Sequence, residues 1–203
     1  MKLFYKPGAC SLASHIALIE INAAFEIEAV DTNSGRTEHG VDYSLINSKG
    51  YVPALQLKDG DILTEGPAIL QFLADKNPQA NLIPDVGTKA RARMLEQLTF
   101  VSSEVHKAFG PLFREGASEE EKEIARARVG YTFESIEALL SDGRDTIIPG
   151  QFTIADAYLF VVANWANFTG IDLKRWPHLK AFITNVSARP SVQSAMRAEG
   201  FLQ

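Results

Sequence analysis

The period of apolar and polar positions changes along this chain. Residues 2–6, "KLFYK", place three apolar residues between lysines, which predicts a short strand. From Ser11 to about residue 22, "SLASHIALIEIN" repeats its apolar positions at helical spacing. "FEIEAVD" alternates, with Phe25, Ile27 and Ala29 on one face, and predicts a second strand. The polar, irregular "TNSGRTEHGVDYSLINSKG" predicts a loop with a short helix in it. In "ALQLKDGDILTE", two short runs flank Asp59-Gly60, the signal of a hairpin with a two-residue turn. "GPAILQFLADKN" predicts a helix with Pro67 in its first turn. The order is β-α-β-(α)-β-β-α. Its opening predicts a parallel pair, to which the hairpin adds antiparallel strands.

Beyond "NPQANLIPDVGT", residues 77–88, the pattern is helical throughout. The prolines and glycine there predict a linker, taken as residues 81–87, between a domain at 1–80 and an all-helical one at 88–203. "KARARMLEQLTFVSSEVHKAFGPLF" predicts one long helix ended near Gly110-Pro111. Ser118 and Glu121 form a capping box ahead of a second, and Thr153 and Asp156 another ahead of "IADAYLFVVAN". "HLKAFITNVSAR" is a fourth helix, stopped by Pro190. The chain has no internal repeat.

Composition narrows the class. Of 203 residues, 46% are hydrophobic and 22% charged, and the net charge is -5, as in an ordinary globular protein. Without a basic block, nucleic acid and anionic membranes are poor partners. No apolar run reaches the ~18 residues of a membrane span. The start does not read as a secretory signal, and one cysteine forms no internal disulfide, so a cytoplasmic protein is expected.

That cysteine, Cys10 in "PGACSLASHI", falls where a helix begins. Free N–H groups and the helix dipole favour a thiolate there, but a small buried hydrophobe fits the position as well. Tyr5 and Ser11 are rival hydroxyls. In "YVPALQL", Pro53 must start its strand or sit at an edge, and on its own the bond before it is expected to be trans. In "LTEGPAIL", Glu65 and Gly66 close a strand and open a helix. The free N–H groups would take a carboxylate and Glu65 an ammonium, which suits an α-amino-acid end. Thr99, Ser103 and His106 are spaced i, i+4, i+7 beside an apolar stripe of Leu95, Leu98, Val101 and Val105. Either a binding face or a solvated one accounts for that spacing.

Together "MKLFYKPGACSLASHIAL", "VPALQL", "DGDILTEGPAI", "SSEVHKAFGPLF" and "FTIADAYLF" resemble the bacterial beta-class glutathione transferases along essentially the whole chain. The resemblance implies a thioredoxin-like N-terminal domain, a helical-bundle C-terminal domain and a homodimer. It implies a cis Val52-Pro53 bond, against the residue-level expectation. It implies no cofactor and no metal, with glutathione as substrate and a small electrophilic second substrate. Cys10 and His106 are then catalytic, as polar partners of the glutathione sulfur. Arg36, Tyr51, Val52, Pro53, Glu65, Gly66, Thr99, Ser103 and Lys107 are the further glutathione contacts. The second substrate falls to segments such as "FGPLFREG" and "NWANFTG", and the Thr153–Asp156 box is structural.

Two positions depart from the class. Thr99 stands where members commonly carry asparagine. Gly35 stands where relatives often carry lysine, with Arg36 the available substitute. The leading expectation is conjugation of glutathione to small, largely apolar electrophiles. The first alternative is glutathione-dependent disulfide, peroxide or reductive dehalogenation chemistry through Cys10 itself. The second is a ligand-binding protein that keeps the fold without turnover.

Overall fold

The computed structural model describes residues 1–202. They form two compact units, one of Met1–Ile83 with the chain from Ala188 onward, the other of Pro84–Ser187.

The first unit is built on a five-stranded mixed sheet. Its elements are β1 (Lys2–Tyr5), α1 (Ser11–Glu20), β2 (Glu26–Asp31), β3 (Arg36–Thr37), β4 (Ala54–Gln56), β5 (Ile62–Thr64) and α2 (Gly66–Lys76). In space the strands run β3-β2-β1-β4-β5. β1 and β2 are parallel, as the strand–helix–strand opening predicts, and β4 and β5 are antiparallel additions. Side chains alternate across the sheet. Phe4 packs with Val30, Tyr43 and Ala54 on one face. Leu3 and Leu55, paired across β1 and β4 and fully buried, lie on the other face, against α1 and α2. This is the thioredoxin-like arrangement that the resemblance implies.

Local corrections have simple causes. The hairpin turn holds three residues, Lys58, Asp59 and Gly60, because the Leu57 N–H reaches the Asp61 carbonyl at 2.8 Å. Gly60 takes φ +91°, the left-handed residue such a loop needs. β3 lies inside the stretch expected to be loop, since two residues carry no readable period. The short helix expected there is the 3-10 turn Tyr43–Leu45.

The second unit is helical: α3 (Lys89–Phe100), α4 (His106–Ala108), α5 (Gly110–Phe113), α6 (Glu119–Leu140), α7 (Ile154–Asn164), α8 (Ala166–Thr169) and α9 (Pro177–Ser187). Both capping boxes are formed, at Ser118–Glu121 and Thr153–Asp156. The one long helix expected from residue 89 is interrupted. Val101–Val105 is a π-helical turn, and the His106 N–H donates to the Val101 carbonyl five residues back.

Pro190 ends no domain. It opens α10 (Pro190–Ala198), which packs on α1. Glu20 Oε1 accepts from Arg189 Nε at 3.1 Å, Arg189 Nη2 at 2.9 Å and Ser191 Oγ at 2.5 Å. The expected helical domain at 88–203 therefore stops at Ser187, and the end of the chain belongs with the sheet.

Candidate functional site

Cys10, Val52 and Glu65 meet at one edge of the sheet because of strand direction. α1 begins just beyond the C-terminal end of β1. β4 is antiparallel to β1 and so starts at that edge, and β5, antiparallel to β4, ends there. Ala54 pairs with Thr64, so Pro53 and Glu65 follow outward on neighbouring strands, about 4.8 Å apart.

Cys10 is the N-cap residue of α1, partly buried, and makes no side-chain cap bond. Its Sγ donates to the Val52 carbonyl at 3.5 Å, across the start of the cis Val52-Pro53 bond. The turn that presents it is tightly held. Gly8 has φ +71°, and its N–H donates to Glu199 Oε2 at 3.0 Å. The other oxygen of Glu199 lies 2.9 Å from His15 Nδ1 in α1, and both side chains are buried. A residue just past α10 thus ties the Gly8 turn to the helix that carries Cys10.

The rival hydroxyls are accounted for. Ser11 is buried, accepts from the Lys6 N–H at 3.2 Å and donates to the Lys6 carbonyl at 3.3 Å. Tyr5 is buried, and burial, with the charges of Glu199 and Glu38 behind it, holds its phenol above the ordinary pKa. Neither is placed to stabilise a thiolate.

Glu65 is exposed at the N-cap of α2 with φ +70° and ψ +115°, a conformation that L-residues avoid. Such strain is of order 1–3 kcal/mol and concentrates at functional sites. Gly66 is buried at the first helical position. Tyr51 is exposed, while its carbonyl accepts from Tyr43 Oη at 2.9 Å and Asn47 Nδ2 at 2.6 Å. Arg36 lies on β3, three strands from β4, and its Nη1 donates to the Gly40 carbonyl at 2.9 Å. Lys49, absent from the sequence-based set, places Nζ 2.8 Å from Glu65 Oε1. Nothing in its local sequence marks it from any exposed lysine.

In the helical unit the π turn changes the expected geometry. It adds a residue, so the i, i+4, i+7 spacing of Thr99, Ser103 and His106 no longer implies a shared face. Thr99, Ser103 and Lys107 are exposed. His106 is half-buried, with Nδ1 2.8 Å from Tyr158 Oη and its ring edge-on to Trp165 at 4.9 Å. Phe109 and Phe113 stand 5.5 and 5.2 Å from the same indole. The two segments expected to meet a second substrate thus form one aromatic cluster around His106. Burial, with the Lys107 charge added, holds His106 down to about 4, so its imidazole is neutral at neutral pH.

Residues 8–76 match the family model for the glutathione S-transferase N-terminal domain, and residues 100–190 that for the C-terminal domain. The glutathione S-transferase GstA of Escherichia coli O157:H7 is 46% identical over 200 residues, 98% of this chain and 99% of that protein. A bacterial beta-class glutathione S-transferase of Sphingomonas chungbukensis is 44% identical over the whole of both chains, with a TM-score of 0.95. A sphingomonad glutathione S-transferase solved in complex with glutathione is 45% identical over 98% of this chain and 99% of that one, with a TM-score of 0.94.

Proposed function

The chain belongs to the glutathione S-transferase family, and we propose that it conjugates reduced glutathione to small, largely apolar electrophiles at the Cys10–Val52–Glu65 sheet edge. The observation that carries the proposal is the approach of Cys10 Sγ to the Val52 carbonyl at the start of α1. Glutathione lies extended along the edge, with its cysteinyl backbone at Val52 and its γ-glutamyl end at Glu65 and Gly66. Its thiol gives up a proton to solvent. The thiolate is stabilised by the α1 N-terminus and by the Cys10 S–H, which turns from the carbonyl to the sulfur. It then forms a C–S bond at the electrophilic carbon while the leaving group departs with the bonding pair. Lowering the thiol pKa toward ambient pH raises the reactive fraction without sacrificing nucleophilicity.

Arg36, Tyr51, Thr99, Ser103, His106 and Lys107 enter this proposal through the resemblance. For His106, neutrality supports a specific role: in the tautomer whose Nδ1 accepts from the Tyr158 hydroxyl 2.8 Å away, Nε2–H is the donor we assign to the sulfur. A homodimer and a cytoplasmic site of action complete the reading. The single cysteine suits a reducing compartment. Large apolar side chains exposed on each unit, Leu45 and Tyr51 on one and Ile124 and Tyr131 on the other, suit burial against a second copy.

The test is the initial rate with a chlorodinitrobenzene-type electrophile against a no-enzyme control, beside calorimetry with reduced glutathione. A rate above background and saturable binding are expected. No binding at millimolar glutathione overturns the proposal, and binding of electrophiles without turnover favours a ligand-binding protein.

A redox reading draws on the same partly buried helix-start thiol. The Cys10 thiolate attacks a mixed disulfide of glutathione, a Cys10–glutathione disulfide forms and the substrate thiolate leaves. A second glutathione thiolate then releases oxidised glutathione and restores Cys10. Cys10→Ala abolishes this route outright while leaving the α1 N-terminus for conjugation. Separate loss of disulfide reduction assigns Cys10 a redox role of its own.

A further inference from the structure

The motif "FTIADAYLF" does more than start α7. Its capping box fixes the first turn, and Tyr158 follows Asp156 by two residues. Tyr158 and Trp165 are seven positions apart, about two helical turns, so they project from one face of α7 and its C-cap. α7 packs against the π turn Val101–Val105, and His106 follows that turn directly. Tyr158 Oη stands 2.8 Å from His106 Nδ1. Trp165 meets the imidazole edge-on, its plane inclined by 70° at 4.9 Å. One helix therefore holds His106 by two side chains.

The two contacts leave the imidazole little freedom. A half-turn of the ring would put Cδ2 where Nδ1 stands and lose the bond to Tyr158. The bond also bears on where the ring proton sits. Burial keeps His106 neutral at neutral pH, so there is a single proton to place. A phenol is a stronger donor than a neutral imidazole N–H, and an imidazole nitrogen is a stronger acceptor than a phenol oxygen. The stronger of the two possible bonds is O–H···Nδ1, which leaves the proton on Nε2. Donation into Nδ1 also polarises the ring and strengthens Nε2–H as a donor. Tyr158 is 3% exposed, which shields the bond from water on that side.

Resting on the reading of His106 as a partner of the glutathione sulfur, we propose that Tyr158 is a positioning residue for conjugation: its hydroxyl holds the imidazole in the orientation and tautomer that present Nε2–H to the sulfur. Tyr158 acts through His106 and not on the sulfur. Neither side chain gains or loses a proton, and both bonds to hydrogen are the same before and after the C–S bond forms. A thioether needs no such donor, whereas the thiolate does. Loss of the hydroxyl therefore falls on the rate and not on the hold on the peptide.

Tyr158→Phe removes the hydroxyl and keeps the ring. Long-range proton–nitrogen correlation spectra of the free protein, with His106 assigned by His106→Ala, read the tautomer without any ligand. Wild type is expected to carry the His106 proton on Nε2, and Tyr158→Phe to show a mixture of both neutral tautomers. A wild-type proton on Nδ1, or a His106 signal unchanged in Tyr158→Phe, overturns the proposal. Conjugation of glutathione to chlorodinitrobenzene is measured beside calorimetry with S-methylglutathione. Tyr158→Phe is expected to lower kcat about fivefold while the Kd of S-methylglutathione stays within about twofold. His106→Ala is expected to lower kcat about tenfold, and the double variant no further, because the hydroxyl then has nothing to position. Losses that multiply in the double variant overturn the proposal and give Tyr158 a role of its own. A Kd weakened in step with kcat overturns it in favour of a general structural role. Wild-type turnover that His106→Ala leaves unchanged removes the sulfur role of His106, and the role of Tyr158 with it, while conjugation stands. Absence of wild-type turnover overturns the conjugation reading and this proposal together.

Discussion

His106 titrates far from where an imidazole ordinarily does. Burial favours its neutral form and the neighbouring Lys107 adds to the effect, bringing it to about 4 from 6.5. A polar partner of the sulfur protonating at its ordinary pKa would change charge on the acid side of neutrality and bend the rate profile there. His106 stays neutral across that range. The conjugation rate of His106→Ala, divided by that of wild type, is therefore expected to be flat between about pH 5 and 8. A ratio that moves near the ordinary imidazole value would show a charged His106. Gly8 poses a backbone question at the same scale. At φ +71° an alanine is disfavoured by about 1–2 kcal/mol. Its Cβ would also stand 2.7 Å from Phe201 Cζ. That ring is at the partly exposed end of the chain and can move, so the backbone term dominates. Gly8→Ala should lower chemical-denaturation stability by about 1–2 kcal/mol, and Phe201→Ala added to it should restore little. Full rescue would put the loss in the ring contact.

At the scale of elements, most of what positions the site was legible. Alternation and helical spacing identify β1, α1, β2, β4, β5 and α2, and chain direction alone then brings Cys10, Val52 and Glu65 to one edge. What escaped had no periodic signature. The π turn keeps a helical pattern while adding a residue, β3 is too short to alternate, and the Lys49–Glu65 pair joins positions 16 apart through the fold. The capping box ahead of α7 was legible down to its residues, and its carboxylate makes a prediction. Asp156 Oδ2 accepts from the Thr153 N–H at 2.8 Å and Oγ1 at 2.6 Å, and Oδ1 from the Ile147 N–H at 2.7 Å. Burial outweighs these donors and raises its pKa from 3.8 to about 6. A group raised in the folded state adds stability below its unfolded pKa and loses it as pH rises through the folded one. The advantage of wild type over Asp156→Asn should thus shrink by about 3 kcal/mol between about pH 4 and 6, read by urea denaturation. An advantage that grows over that window would mean the carboxylate is ionised throughout. His106, depressed in the folded state, gives stability that falls with decreasing pH from 6.5 toward about 4, so the difference must be taken against the variant and not from wild type alone.

The division of the whole chain follows a tether that sequence pattern did not reveal. The helical period beyond the linker assigns the chain after Ser187 to the domain at 88–203, yet this segment completes the sheet unit. Arg189 and Ser191 bind Glu20 at one end of α1, and Glu199 binds His15 and Gly8 near the other, where Cys10 is presented. The end of the chain therefore clamps the helix whose start defines the proposed site. Glu199→Ala removes the acceptor of the Gly8 N–H bond and the carboxylate that holds buried His15, at about 1–3 kcal/mol for the buried imidazole. The expected result is a thermal midpoint lowered by several degrees, together with a looser Cys10 turn read as a raised KM for glutathione. Glu199→Gln keeps an acceptor for the Gly8 N–H and should recover part of both. A chain truncated after residue 187 loses the whole clamp. Amide exchange should then quicken first in residues 8–20, with the amides of α6 and α7 still protected, since those helices belong to the other unit. Uniform exchange across both units would mean that the chain unfolds as one and that the clamp is a global strut. Loss confined to α1 and its turn would make the C-terminal segment a support of Cys10, held in place through backbone that lies nearly two hundred positions away.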